Sequence, residues 1–201
     1  MRKPNKRVAV LISGGMDSVT MYYLLQRKGY ETLPIYIDYG QRVMVSEMRT
    51  LTALGITPTV FECKMEDVYI NRFRGLKPLR NLMFVVKTAA WAYLNRTPYL
   101  AVGCTKGDGA LIPDMDGEFF AKVSDVLTVG LAKKMTILTP LANKTKTEIM
   151  LLANKIGLDI RRTWSCFLPG KEQCGKCKSC KRMLNAIEEA QQIKRKVKEY
   201  A

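Results

Sequence analysis

The chain has 201 residues, 47% of them hydrophobic, which is enough for one core and a small appendage but not for several large domains. Its 33 Lys and Arg against 18 Asp and Glu leave a net charge of +15, which attracts anions of every kind, from nucleotides and acidic metabolites to nucleic acid. There is no histidine, which excludes a histidine base, a Ser-His-Asp triad and imidazole metal ligands; the basic start MRKPNKR leads into an apolar run too short for a signal sequence, and no stretch approaches a membrane span, so a cytoplasmic protein is expected.

In chain order, Val8–Ile12 reads as a buried strand. It breaks into Ser13-Gly14-Gly15-Met16-Asp17-Ser18, and a helical pattern follows over Ser18–Lys28. Two glycines let the backbone bend sharply and come close to a ligand. Ser13, Asp17 and Ser18 are expected to cap the helix and orient the loop. A helix N-terminus adds partial positive charge, so the turn suits phosphate or pyrophosphate, although an ordinary strand-to-helix turn has the same look. The glycine spacing is neither G-x-x-x-x-G-K-[S/T] nor G-x-G-x-x-G, which sets those phosphate-binding patterns aside.

Further β-rich runs lie at Thr32–Ile37, Thr57–Phe61, Tyr99–Val102 and Thr136–Leu138, with helical patterns at Val43–Leu54, Asn81–Asn95, Glu118–Lys133 and Thr145–Ile156. Strands alternating with helices predict a parallel α/β sheet covered on both faces. Ligands of such sheets sit at the carboxyl ends of strands. The opening loop, the run Asp38-Tyr39-Gly40-Gln41-Arg42 and the pair Gly103-Cys104 all fall at such ends, and Arg80 stands just before a helix that Asn81 is expected to cap. Between Asp67 and Asp108 no acidic residue occurs, but Arg72, Arg74, Lys77, Arg80, Lys87, Arg96 and Lys106 do. Most of these, like a second basic stretch from Lys171 to Lys198, are expected to be solvated surface.

After about Gly157 the composition changes. Cysteines follow with the spacing Cys166-x7-Cys174-x2-Cys177-x2-Cys180, and then a charged helix from Ser179 to Lys198. Compact CxxC-type spacing suits tetrahedral zinc, with Gly175 allowing the tight turn between ligands. Lys171, Lys176, Lys178 and Lys181 favour thiolates and offset the negative charge of such a centre. Iron–sulfur ligation is an alternative, and so are disulfides, which a cytosolic setting disfavours. A full set of four ligands leaves no open position, so the metal is expected to be structural. Residues 1–157 are thus expected to form the main domain and 158–201 a metal-bound segment packed on it. Cys63 reads as core; Cys104, at a strand end, is a reactive thiol or, more simply, a small apolar filler.

The loop Ser13 to Ser18 matches S-G-G-x-D-S, the signature of the PP-loop ATP pyrophosphatases, which the chain resembles. Further motifs in the same order make it similar to the 7-cyano-7-deazaguanine synthase family of the queuosine pathway. Asp38-Tyr39-Gly40-Gln41-Arg42 fits D-Y-G-Q-R, and Pro78-Leu79-Arg80-Asn81 fits P-x-R-N. Gly103, Asp108, Pro113, Asp114, Glu118 and Phe119 fall on G-x-N-x-x-D-Y-S-G-Y-P-D-x-R-P-E-F. Pro140-Leu141, Lys146 and Glu148-Ile149 fit P-L…K-x-E-I, and Thr163-Trp164-Ser165-Cys166 fits T-W-S-C. The chain departs from the pattern at Val43 (usually His), at Thr105 (Asn), at Gly109-Ala110-Leu111-Ile112 (Y-S-G-Y) and at Asp116-Gly117 (R-P).

The resemblance implies an adenine-nucleotide α-hydrolase-like α/β fold with a zinc-binding helical appendage. It implies a ligase that converts 7-carboxy-7-deazaguanine, ammonia and ATP to the nitrile through adenylated intermediates, with Mg2+, a structural Zn2+ and commonly a homodimer. Carried onto matching positions, it puts ATP on Ser13, Gly14, Gly15, Met16, Asp17, Ser18, Arg42 and Asn81. It puts the acid substrate on Asp38, Tyr39, Gln41, Asp108, Asp114 and Glu118, catalysis on Asp17, Arg80 and Lys146, and zinc on Cys166, Cys174, Cys177 and Cys180. Asp17 then holds Mg2+ or caps the helix, Arg80 pairs with phosphate or carboxylate, and Lys146 contacts phosphate or is an ordinary helix lysine. Two other activities stay open: a PP-loop enzyme acting on RNA or on a different deazaguanine-type acid, and a non-catalytic zinc-containing nucleic-acid-binding protein. The former usually carries an added RNA-binding domain or a catalytic cysteine pair, for which only Cys63 and Cys104 stand here; the latter leaves the S-G-G-x-D-S loop without a task.

Overall fold

A computed structural model describes residues 6–65 and 77–199; Arg72 and Arg74 of the first basic stretch lie outside the described residues. The β-rich runs form β1 (Arg7–Leu11), β2 (Glu31–Asp38), β3 (Thr59–Glu62), β4 (Tyr99–Ala101) and β5 (Thr136–Leu138). The helices are α1 (Met16–Arg27), α2 (Met44–Ala53), α3 (Arg80–Leu94), α4 (Gly117–Gly130), α5 (Lys146–Lys155) and α6 (Lys178–Glu199). All strand pairs are parallel, in the order β3-β2-β1-β4-β5, so the expected α/β parallel sheet is present. The order reverses beside β1, whose Val8, Ala9 and Val10 are fully buried because helices cover both faces.

One layer packs α1, α2, α5 and α6 on the sheet through Val19, Leu25, Leu51, Ile149, Ala186 and Ala190. The other packs α3 and α4 through Val85, Ala89, Phe120 and Val123. The buried positions of α6, namely Cys180, Met183, Ala186 and Ala190, recur every three or four residues and form one face, turned to α5. Thr147 hydrogen bonds to Glu189 across the same seam. No helix among the described residues is long and apolar enough to cross a membrane.

The structure corrects two capping expectations. α1 has Gly15 at its N-cap, and no side chain among the described residues caps it. Ser18 instead donates to the Gly15 carbonyl at 3.1 Å and accepts from the Ser13 N–H at 3.2 Å, so the serines brace the loop and leave the first-turn N–H groups of α1 facing the strand ends. Gly14 has φ +78°, and a Cβ there would sit 3.1 Å from the Glu47 carbonyl oxygen, so the loop needs glycine twice over.

Nor does Asn81 cap α3: it lies inside the first turn, and the residue at the N-cap is Leu79 in the left-handed region, φ 57°. The cap comes from Asp114, 33 residues away, which accepts from the Asn81 N–H at 2.8 Å, the Asn81 side-chain amide at 2.9 Å and the Leu82 N–H at 3.3 Å. Asp114 is buried and both its oxygens are engaged. Its removal would strand these donors, so Asp114→Ala should cost about 2–3 kcal/mol in urea unfolding, with Asp114→Asn recovering part of it.

Candidate functional site

The carboxyl ends of β1, β2 and β4 open into a cavity of about 390 Å3 at the reversal in strand order. Of the residues singled out above, Ser13, Gly15, Asp17, Ser18, Tyr39, Gln41, Arg80, Asn81, Asp108 and Lys146 line it. They come from five separate stretches of chain, brought together because each follows a strand or begins a helix on the same edge of the sheet. Ile35, Ile37, Phe84, Val102, Ile112 and Met115 supply apolar walls.

Asp17, in the first turn of α1, forms an ion pair with Lys146, in the first turn of α5, 129 residues away. Burial raises the Asp17 carboxyl above the ordinary carboxylate range, and the Lys146 ammonium acts against that rise. Lys146 binds through Asp17 Oδ2, while Asp17 Oδ1 is buried with no hydrogen-bond partner among the described residues. α5 is held at this point by a reciprocal cap: Thr145 accepts from the Glu148 N–H, and Glu148 accepts from the Thr145 N–H.

On the β2 side, Gln41 donates to the Tyr36 hydroxyl at 2.6 Å and to the Ile37 carbonyl at 3.0 Å. Tyr36 in turn donates to Glu47 at 2.6 Å. Burial raises the Glu47 carboxyl, and these hydrogen bonds oppose the rise. The Arg80 guanidinium lies over the rings of Tyr39, 5.2 Å from its centroid, and Phe84, 5.7 Å away. Its Nε is buried and has no hydrogen-bond partner among the described residues. On the β4 side, Asp108 Oδ2 accepts from the Thr105 N–H at 2.9 Å and the Thr105 hydroxyl at 2.7 Å, which gives the substituted Thr105 a supporting role.

The other expected residues lie elsewhere. Gly14 and Met16 are buried in the frame of the loop. Asp38 turns the chain by accepting from the Gly40 N–H at 3.0 Å. Arg42 is exposed and Glu118 pairs with Lys122 on the surface of α4; neither borders the cavity, and Asp114 is the cap of α3. Cys104 is fully buried in the core and burial pushes its thiol up to about 12, as fits the filler rather than the reactive group. Sequence reasoning missed Tyr36, Glu47, Phe84, Phe167, Ser179 and Arg182, all of which border the cavity. Glu47 carried a weak signal, since it falls one helical turn after Val43 at the end of a matched motif.

The cysteine segment meets the loop directly, for the Trp164 N–H donates to the Gly14 carbonyl at 2.8 Å. The Sγ atoms of Cys166, Cys174, Cys177 and Cys180 all lie within 4.8 Å of one another, with separations of 3.9 Å for Cys174–Cys180 and 4.0 Å for Cys166–Cys177. A tetrahedral centre with metal–sulfur bonds of about 2.3 Å places its sulfurs about 3.8 Å apart. All four cysteines are free thiols, and backbone N–H groups of Leu168, Lys176, Cys177 and Cys180 point at their sulfurs. The cluster can therefore bind one metal ion.

The Asp17–Lys146 pair has a testable pH signature. A native pKa raised above the ordinary aspartate value means that ionised Asp17 costs stability increasingly as pH rises, and Lys146 lessens that cost. Lys146→Ala should therefore be nearly neutral near pH 3, where Asp17 is protonated, and cost about 1–3 kcal/mol at pH 7 in urea unfolding, the pair being only partly buried.

Comparison with known proteins locates this arrangement. The chain matches the family described as queuosine biosynthesis protein QueC over residues 7–75 and 71–191. The 7-cyano-7-deazaguanine synthase of Campylobacter curvus is 29% identical over 221 residues, covering 96% of this chain and 97% of that protein. The 7-cyano-7-deazaguanine synthase 1 of Colwellia psychrerythraea is 28% identical over 207 residues, covering 92% and 94%. Among solved structures, the U34-tRNA thiolase NcsA from Methanococcus maripaludis with its [4Fe-4S] cluster has a TM-score of 0.57 at 17% identity, covering 96% of this chain and 68% of that one. NMN synthetase from Francisella tularensis has a TM-score of 0.51 at 12% identity, covering 93% and 86%. At such identities these two likenesses speak for the fold alone, the expected parallel α/β arrangement. The matched stretches span the sheet, the loop and the cysteine cluster, and the chain belongs to the queuosine biosynthesis protein QueC family.

Proposed function

We propose that the protein is a 7-cyano-7-deazaguanine synthase: an ATP-consuming ligase that converts 7-carboxy-7-deazaguanine and ammonia into the nitrile. The observation that carries this reading, beside family membership, is the cavity at the strand reversal, where uncapped first-turn N–H groups of α1, Lys146, Arg80 and apolar walls converge. In the proposed reaction a carboxylate oxygen attacks the α-phosphorus of ATP and pyrophosphate leaves. Ammonia displaces AMP to give the amide. The amide oxygen is adenylated in turn, and loss of AMP with the amide protons leaves the nitrile.

Such chemistry asks for alignment and for stabilisation of leaving phosphates more than for a side-chain base. That demand agrees with a site without histidine. The loop Ser13–Ser18 would hold the pyrophosphate on backbone N–H groups. Arg80, braced on Tyr39 and Phe84, would hold the substrate carboxylate or the α-phosphate. Tyr39, Gln41 and Asp108 offer acceptors and donors to the edge of a deazaguanine lying against Phe84, Ile112 and Met115. Asp38, Arg42, Asp114 and Glu118 are left out of the contact set, because none borders the cavity.

Asp17 Oδ1 is a fitting oxygen ligand that would hold Mg2+, and the ion would supply positive charge to offset that of the phosphates. For the cysteines the compact sulfur spacing favours a single zinc ion over a four-iron cluster, whose ligand sulfurs spread around a larger cube. A zinc there would be structural, cross-linking the turn from Cys174 to Cys180 to Trp164 and hence to the loop.

Incubation with ATP, Mg2+, ammonium and 7-carboxy-7-deazaguanine should yield the nitrile with AMP and pyrophosphate by mass spectrometry; ATP binding without either amide or nitrile would sink this substrate. Asp17→Ala and Arg80→Ala should each lower AMP release by roughly 100-fold or more while the fold persists by circular dichroism. Elemental analysis should return one zinc per chain, and chelation should lower the melting temperature; an iron chromophore would refute the zinc assignment.

A further inference from the structure

α6 begins inside the cysteine cluster and passes one turn of side chains into the cavity. Ser179 and Arg182, three residues apart on that helix, line both the main cavity and a recess of about 60 Å3 that adjoins it. The recess is walled by Met16, Asp17, Lys146 and Ser165 as well, so it lies directly against the first turn of α1. The root of Arg182 is fixed from both sides. Cys180, two residues before, is buried in the cluster, and Met183, one residue after, is buried against the body.

The guanidinium itself is loosely held. Its contact is with Asp108 Oδ1, a single nitrogen at 3.6 Å, and its side chain is 43% exposed. An Arg–carboxylate pair of good geometry is shorter and bidentate, and pairs this open are worth little. Asp108 is already satisfied on its other oxygen by Thr105. The other cations of the cavity are committed differently: Lys146 to Asp17, Arg80 to the Tyr39–Phe84 stack. A fixed root, a weak partner and a position against the α1 N-terminus are what a residue awaiting an anion requires.

We infer that Arg182, supplied by the cysteine-bearing segment, binds the polyphosphate of the nucleotide and exchanges Asp108 for phosphate when the nucleotide enters. This rests on the nucleotide-site reading above. The exchange replaces one loose carboxylate contact by charge-assisted hydrogen bonds to phosphate oxygens, the anion whose geometry the guanidinium fork matches best. It also releases Asp108 Oδ1 to face the second substrate, and it gives the cysteine cluster a direct task at the site: setting the reach of Arg182.

The test is calorimetric titration of the metal-loaded protein with α,β-methylene-ATP and Mg2+, which reads binding without turnover. Arg182→Ala and Arg182→Gln should weaken the analogue by roughly 10- to 100-fold, and Arg182→Lys should restore part of the loss. Asp108→Asn should bind the analogue at least as tightly as the unmodified chain, since the competing carboxylate is gone. The exposed control variant Lys194→Ala, further along α6, should bind unchanged. Binding of Arg182→Ala or Arg182→Gln within about twofold of the unmodified chain overturns the assignment. So does an Asp108→Asn chain weakened as much as the arginine variants, because the pair would then be a structural brace. Failure of the unmodified chain to bind the analogue overturns the nucleotide reading, and Arg182's role with it.

Discussion

The position of β1 is the constraint on which the rest depends. It is flanked by β2 and β4 and covered by helices on both faces, so its backbone bonds are spent within the sheet and its central side chains, Val8, Ala9 and Val10, have no contact with water. Such a strand can meet solvent only at its end. The chain must turn there within a few residues, between the carboxyl ends of its two neighbours, and the next helix must start by pointing its N-terminus back at them. The glycine with a left-handed φ and no room for a Cβ follows from this geometry, as does the bare first turn of α1.

Electrostatics at the site are local, although the whole chain is strongly basic. A net charge of +15 raises the attraction for any anion, but the cations that matter are few and each is held by something specific. Lys146 is held by a half-buried carboxylate, Arg80 by two aromatic faces and Arg182 by one distant oxygen. The acidic members lie on the opposite sides of the same pairs. The burial of Asp17 opposes its ionisation and is tolerable only beside Lys146, so α1 and α5 must be registered against each other for the site to exist.

The cysteine-bearing segment is wired to the loop rather than appended to the surface. The Trp164 N–H closes on the Gly14 carbonyl, Gly170 accepts from Ser46 at the start of α2, and α6 lays an apolar face along α5. A change in the cluster therefore reaches the cavity through rigid contacts of a few residues, without any large movement.

Local rules made much of this legible. The strand and helix patterns, the parallel sheet, the glycine loop and the four-cysteine spacing all depend on residues near one another in sequence, where periodicity and turn chemistry act directly. What the sequence could not decide is what each polar side chain faces. Asn81 reads as a cap, yet Asp114 caps α3 from 33 residues away. The resemblance puts the acid substrate on Asp114 and Glu118 alike, but one is sealed against a helix and the other lies on the surface. Arg182 was one cation among many in a basic stretch until the fold turned it into the cavity. A motif sets which groups are present and where the chain turns; a charge acquires its role only from the partner that long-range packing brings to it, because Coulomb energy and desolvation depend on distance and burial, which sequence separation does not measure.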